Sequence, residues 1–76
     1  MSGRSGATID TLRLTVNGEA IEARTSTLAA LLVELGYGDR RIATAVNGEF
    51  VGERARASTP LRAGDQIEIV APRQGG

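Results

Sequence analysis

Leu12-Arg13-Leu14-Thr15-Val16-Asn17-Gly18-Glu19-Ala20-Ile21-Glu22-Ala23 is the stretch whose reading decides the fold. Leu12, Leu14 and Val16 alternate with Arg13 and Thr15, the period of a half-buried strand. Asn17-Gly18 follows, and a two-residue turn of this type needs positive φ at both central positions, which Asn and Gly tolerate. The turn fixes the register. Val16 faces Glu19, Leu14 faces Ile21 and Leu12 faces Ala23, so apolar residues meet on one face at two of the three pairs.

After the hairpin, Thr25-Ser26-Thr27 precedes Leu28, Leu31, Leu32 and Leu35, whose spacings of three, four and seven describe one helical stripe. Ser26 or Thr25 is the expected N-cap and Gly36 the expected stop. A helix of about ten residues is too short to stand alone in water, so its leucines must lie on the sheet. Ile42 to Val46 reads as a third strand, with its buried face open between Ile42/Val46 and Ala43/Ala45. A second Asn-Gly turn at Asn47-Gly48 returns the chain through Phe50 and Val51, and the tetrapeptide Val-Asn-Gly-Glu thus occurs twice, reading as one turn chemistry used twice. Residues 53–59 are small and charged, a loop or short helical turn. Pro60 bars an internal strand there. Ala63-Gly64-Asp65 makes a turn, and Gln66 to Val70 is the last strand, with Ile67 and Ile69 on one face. A hairpin, one crossing helix and a returning sheet of four to five strands make a two-layer α+β domain. Residues 1–10, rich in Ser, Gly and Thr, read as a flexible leader, residues 11–72 as the domain and residues 73–76 as a flexible tail.

Composition narrows the chemistry. The chain has 76 residues with no cysteine and no histidine, and all nine basic residues are arginine. Serine triads, Cys-His sites, Schiff-base lysines and zinc sites with nitrogen or sulfur ligands are therefore excluded, and no close carboxylate pair stands out. Catalytic and metal-ligating residues are expected to be none, and the chain is not expected to be an enzyme. Nine acidic groups balance the nine basic ones, and Tyr37 and Phe50 are the only aromatics, so neither the basic footprint nor the stacking platform of a nucleic-acid binder is present. With no long apolar run and no signal-peptide core, the sequence reads as soluble and cytoplasmic, with no membrane partner. Arg40-Arg41 reads as a docking patch or a solvated loop.

The order of elements resembles the β-grasp fold of ubiquitin-like proteins. More closely, the chain resembles the ThiS family of bacterial sulfur carriers of thiamine biosynthesis, over about Leu12 to Gly76. The marks are the Val16-Asn17-Gly18 turn, the helix with Leu28, Leu31, Leu32 and Leu35, the segment Ala45-Val46-Asn47-Gly48-Glu49, the run from Leu61 to Val70, and the tail Pro72-Arg73-Gln74-Gly75-Gly76. Residues 53–59 depart from the pattern, since they carry no large apolar anchor.

The resemblance implies that the Gly76 carboxylate, expected to be the true C-terminus, is adenylated by a ubiquitin-activating-like enzyme of the ThiF type. That partner uses ATP, and this chain holds no cofactor itself. The acyl adenylate becomes a thiocarboxylate with sulfur from a cysteine desulfurase-derived donor, and a thiazole synthase of the ThiG type consumes it. Gly75, Gln74 and Arg73 are the residues expected to thread into these partners. Two rivals remain: the small subunit of molybdopterin synthase, which uses the same chemistry but usually has a longer segment between helix and third strand, and a ubiquitin-like interaction module that never forms an acyl adenylate. A protein-conjugating modifier is a third.

Overall fold

The computed structural model describes residues 11–38 and 41–71. These form strands β1 (Leu12–Val16) and β2 (Glu19–Ala23), helix α1 (Leu28–Glu34), strands β3 (Ala43–Val46) and β4 (Glu49–Val51), a 3-10 segment (Glu53–Ser58), and strand β5 (Gln66–Val70). The five strands make one mixed sheet in the order β2-β1-β5-β3-β4. The first and last strands lie parallel at its centre, while the two hairpins flank them antiparallel. This is the β-grasp arrangement, with one face of the sheet packed on α1.

The first hairpin has the register read from its sequence, Leu12↔Ala23, Leu14↔Ile21 and Val16↔Glu19. Its turn places Asn17 at φ 51° and Gly18 at φ 85°, and the second turn repeats this with Asn47 at 52° and Gly48 at 85°. Leu14, Ala23, Leu28, Leu31, Leu32, Leu61, Ile67 and Ile69 form the buried core.

Four local readings are corrected. The N-cap is Thr27, whose Oγ1 accepts a hydrogen bond from the Ala30 N–H, and not Ser26 or Thr25. The cause is non-local: the Leu28 N–H donates to the Thr59 carbonyl and the Leu61 N–H to that of Ser26, so the chain is held extended one residue further than its own composition suggests. The helix is consequently seven residues long rather than about ten. It closes with Gly36 N–H on the Val33 carbonyl and Tyr37 N–H on that of Leu32, a Schellman motif with Gly36 at φ 90°. Leu35 becomes the C-cap and lies exposed, outside the leucine stripe that Leu28, Leu31 and Leu32 complete. The third strand starts at Ala43 rather than Ile42, and its core face is the one carrying Ile42, Thr44 and Val46, with Thr44 buried.

The segment without an apolar anchor is tied down by a polar one. Half-buried Arg56, in the 3-10 segment, donates from Nε to Thr44 Oγ1 at 3.2 Å and from Nη2 to the Ile42 carbonyl at 2.8 Å. The Thr44 hydroxyl in turn donates to the Val51 carbonyl at 2.8 Å. A buried hydroxyl with a donor and an acceptor satisfied costs little to bury, and here it links two strands to the segment crossing over them.

Candidate functional site

Arg73, Gln74, Gly75 and Gly76, the residues expected to carry the chemistry, lie outside the described residues, as do the leader and Arg40. Arg41 is exposed. What the fold defines is the root of the tail: the last strand, β5, and the surface around its end.

β5 sits between β1 and β3. Its inward residues Ile67 and Ile69 are buried in the core, and its alternation sends Gln66, Glu68 and Val70 to the outer face. On the β3 side the pairing continues to the strand's end, Ala43↔Val70. On the β1 side it stops at Val16↔Ile67, because β1 turns away at Asn17. The Asn17 carboxamide fills the gap. Its Oδ1 accepts from the Ile69 N–H at 2.8 Å and its Nδ2 donates to the Ile69 carbonyl at 3.1 Å. At the start of β5 the second turn acts likewise: the Gln66 N–H donates to Asn47 Oδ1 at 2.9 Å, and Asn47 Nδ2 donates to Asp65 Oδ1 at 3.0 Å. Sequence reasoning found both asparagines for their backbone conformation and missed this second role. The signal was there in principle, since glycine alone would satisfy the φ.

The outer face of the sheet divides into two halves. Over β1 and β2 it is polar, with Arg13 and Glu22 loosely paired at 3.8 Å and both well exposed. Such a pair contributes little to stability. Over β5, β3 and β4 it is apolar. Phe50 is 74% exposed and Val70 62%. The registers Ala45↔Phe50, Ala45↔Glu68 and Ala43↔Val70 set these side chains beside two alanines too small to cover them. They line a shallow open depression of about 100 Å³, in which Glu68 is the one charged residue. Val70 therefore has two places in the site, as part of the apolar patch and as the strand residue from which the tail leaves. Neither Phe50 nor Val70 was singled out from sequence as a surface residue, because the patch exists only once three strands are in register.

Among the described residues no group of His, Cys, Asp and Glu could hold a metal ion, and no helix is long and apolar enough to cross a membrane. The largest exposed apolar side chains on the sheet's outer face and the tail root thus coincide.

Comparison with known proteins places this arrangement. The profile of the ThiS family matches residues 9–76. The chain is 39% identical over 66 residues to a thiazole synthase of Paramagnetospirillum magneticum, covering 86% of this chain and 20% of that protein. It thus spans about a fifth of the length of the curated relative it matches. It superposes on the crystal structure of a thiamine biosynthesis protein (ThiS) from Geobacter metallireducens with a TM-score of 0.73 at 26% identity, covering 86% of this chain and 100% of that one. A solution NMR structure of a thiamine biosynthesis protein from the same organism gives 0.71 at 28% identity, with 86% and 88% covered. With the profile match running from two residues before the described segment through residue 76, and with the β-grasp topology shared, the chain belongs to the ThiS family.

Proposed function

We propose that this chain is a sulfur carrier of thiamine biosynthesis, working through the α-carboxylate of Gly76 and not through an active site of its own. The observation that carries the reading is its membership of the ThiS family, on a body whose central strand leads directly into the diglycine tail. The relatives support the pathway: two are thiamine biosynthesis proteins and one a thiazole synthase.

An α-carboxylate titrates at roughly 3.3–3.7 and is ionised near neutral pH. It is a poor acyl donor, since its leaving group would be oxide, and it must be activated. A ThiF-type adenylyltransferase uses ATP as co-substrate: a carboxylate oxygen attacks the α-phosphorus, pyrophosphate leaves, and an acyl adenylate forms. The terminal sulfur of a cysteine persulfide, made by a cysteine desulfurase, attacks the acyl carbon and expels AMP. A thiol then reduces the resulting S–S bond and leaves the thiocarboxylate. A ThiG-type thiazole synthase takes this sulfur for the thiazole ring.

The residues of this chain bind and present. Gly75 and Gly76 have no Cβ, so a partner's backbone can close around them and the acyl carbon is unhindered. Residues 72–76 reach at most roughly 16–18 Å when extended, enough to enter a deep cleft while the body stays outside. Arg73 and Gln74 line that path. The patch of Phe50, Val70, Ala43 and Ala45 is the docking surface for the activating enzyme, which meets it with apolar side chains and a basic group facing Glu68.

The test is to incubate the protein with the adenylating enzyme, ATP and a cysteine sulfur source and to measure its intact mass. Exchange of one oxygen for sulfur at Gly76 is expected. No change with an enzyme active on its own carrier rejects the reading. A residue appended after Gly76 should abolish the exchange in a carrier, whereas an interaction module shows no exchange with or without the addition.

A further inference from the structure

β5 has different neighbours along its length. Its carbonyl at Ile67 accepts from the Asn17 N–H at 2.9 Å, the last backbone bond from the β1 side. Two residues on, the Ile69 N–H and C=O point to the same side, where β1 has already turned into its hairpin. Both are taken by one carboxamide, that of Asn17. A primary amide presents the same donor and acceptor as a peptide group, so the side chain extends the ladder after the backbone has left it. Ile69 is 5% exposed, and the β1 pairing has already ended at Val16↔Ile67.

We propose that Asn17 is a positioning residue for the tail: by clamping Ile69 it fixes the point at which the rigid body ends and the threading chain begins. The proposal rests on the sulfur-carrier reading, since it concerns how the Gly76 carboxylate is delivered. With the clamp in place the tail is rooted after Val70, held by β3 on one side and Asn17 on the other. Without it, Glu68 to Val70 are held on the β3 side alone, and the root moves back toward Ile67. These residues stay paired to β3, so docking has to restore only the order lost on the open flank, about one residue's worth of backbone order, and that weakens binding by roughly tenfold. The loss falls on binding and not on the chemical step, because the partner's catalytic groups are untouched.

The molecule supplies its own control. Asn47 occupies the same position in an identical Val-Asn-Gly-Glu turn and bonds the same strand, but at Gln66, the end away from the tail. Asn17→Gly and Asn47→Gly both keep the positive φ that the turns require and both delete a carboxamide. In adenylate formation followed by ATP–pyrophosphate exchange, Asn17→Gly is expected to raise KM for the carrier by roughly tenfold with kcat unchanged, while Asn47→Gly leaves KM unchanged. Amide hydrogen exchange followed by NMR should show the Ile69 N–H losing protection in Asn17→Gly only. Equal KM effects in the two variants, an unaltered KM in Asn17→Gly, or an Ile69 amide that stays protected there would each overturn the proposal. If the wild-type chain itself takes no adenylate, the sulfur-carrier reading is what fails, and the exchange at Ile69 still decides whether Asn17 holds the strand end.

Discussion

Replacing Phe50 by alanine tests whether the apolar half of the sheet is where the activating enzyme docks. The magnitude follows from exposure. A phenylalanine presents roughly 150–200 Å² when fully accessible. Phe50 is 74% exposed, so docking can remove about 110–150 Å² of it from water, worth up to ~3–4 kcal/mol at ~25 cal/mol per Å². Interfaces rarely realise the whole of that area, and half of it sets the lower bound. KM for the carrier should therefore rise by about 10- to 300-fold, with kcat little changed. The same substitution should hardly touch folding, because Phe50 is largely exposed and stands opposite the small Ala45 across the strands, and such cross-strand pairs contribute roughly 0.2–1 kcal/mol. In a domain of this size that is a fall in Tm of at most about 4–8 °C. The assay is carrier-dependent ATP–pyrophosphate exchange, with circular dichroism melts run alongside. Arg13→Ala, on the polar half of the same face, is the reference that should leave KM alone. A KM for Phe50→Ala indistinguishable from wild type, in a protein that still melts normally, would refute the docking assignment while leaving the tail chemistry standing.

Other expectations follow from the same description. Deleting Gly76 should abolish sulfur acceptance, read by intact mass, and leave the melting curve nearly unchanged, since the core closes at Ile69. Leu32→Ala should cost roughly 2–5 kcal/mol in chemical denaturation, because Leu32 is 4% exposed within the core. A double-mutant cycle of Thr44→Val and Arg56→Ala should give a coupling of roughly 1–2 kcal/mol in urea unfolding, as the two side chains share a hydrogen bond at 3.2 Å. A coupling near zero would mean that the 3-10 segment is held by something other than this network.

The elements legible from sequence were those whose signals are local. The Asn17-Gly18 turn and the alternation around it gave every pair of the first hairpin, and Ile67 and Ile69 gave the buried face of β5. The misjudged points depend on partners far along the chain. Thr27 caps the helix because residues 59–61 hold residues 26 and 27 extended, a contact invisible in either segment alone. The inner face of β3 was ambiguous because its central core residue is a threonine, and Thr44 suits a buried site only where Arg56 and the Val51 carbonyl meet it. The chemistry proposed for the tail rests on family resemblance alone. No arrangement of Arg73, Gln74, Gly75 and Gly76 declares a sulfur carrier by itself. The patch at the tail root was not legible at all, since it joins Phe50, Val70 and two alanines from three strands whose order no single segment reveals.

The repeated Val-Asn-Gly-Glu has a geometric reason that needs no duplicated ancestor. Each neighbour of β5 is a strand running into a two-residue hairpin turn, and β5 extends past the point where that neighbour ends. At the first turn residue the chain enters the left-handed region, so its backbone carbonyl swings away with the hairpin and leaves the next group of β5 without an acceptor. Asparagine is the residue that tolerates this φ and also carries an acceptor on a side chain of the right length. Glycine would give the turn and lose the bond. Aspartate would give the turn and the acceptor but set a charge beside the Ile69 carbonyl. Because β1 runs parallel to β5 and β3 antiparallel, the two asparagines fall at opposite ends of the central strand, one at its start and one at its exit. A strand secured at both ends and on both flanks does not peel when its terminal extension is drawn into another protein, as an edge strand would. The position of β5 within the sheet and the identity of both turn residues thus answer one structural requirement, a central strand bonded on both flanks from Gln66 to Val70, and only Asn17 acts at the end from which the chain continues.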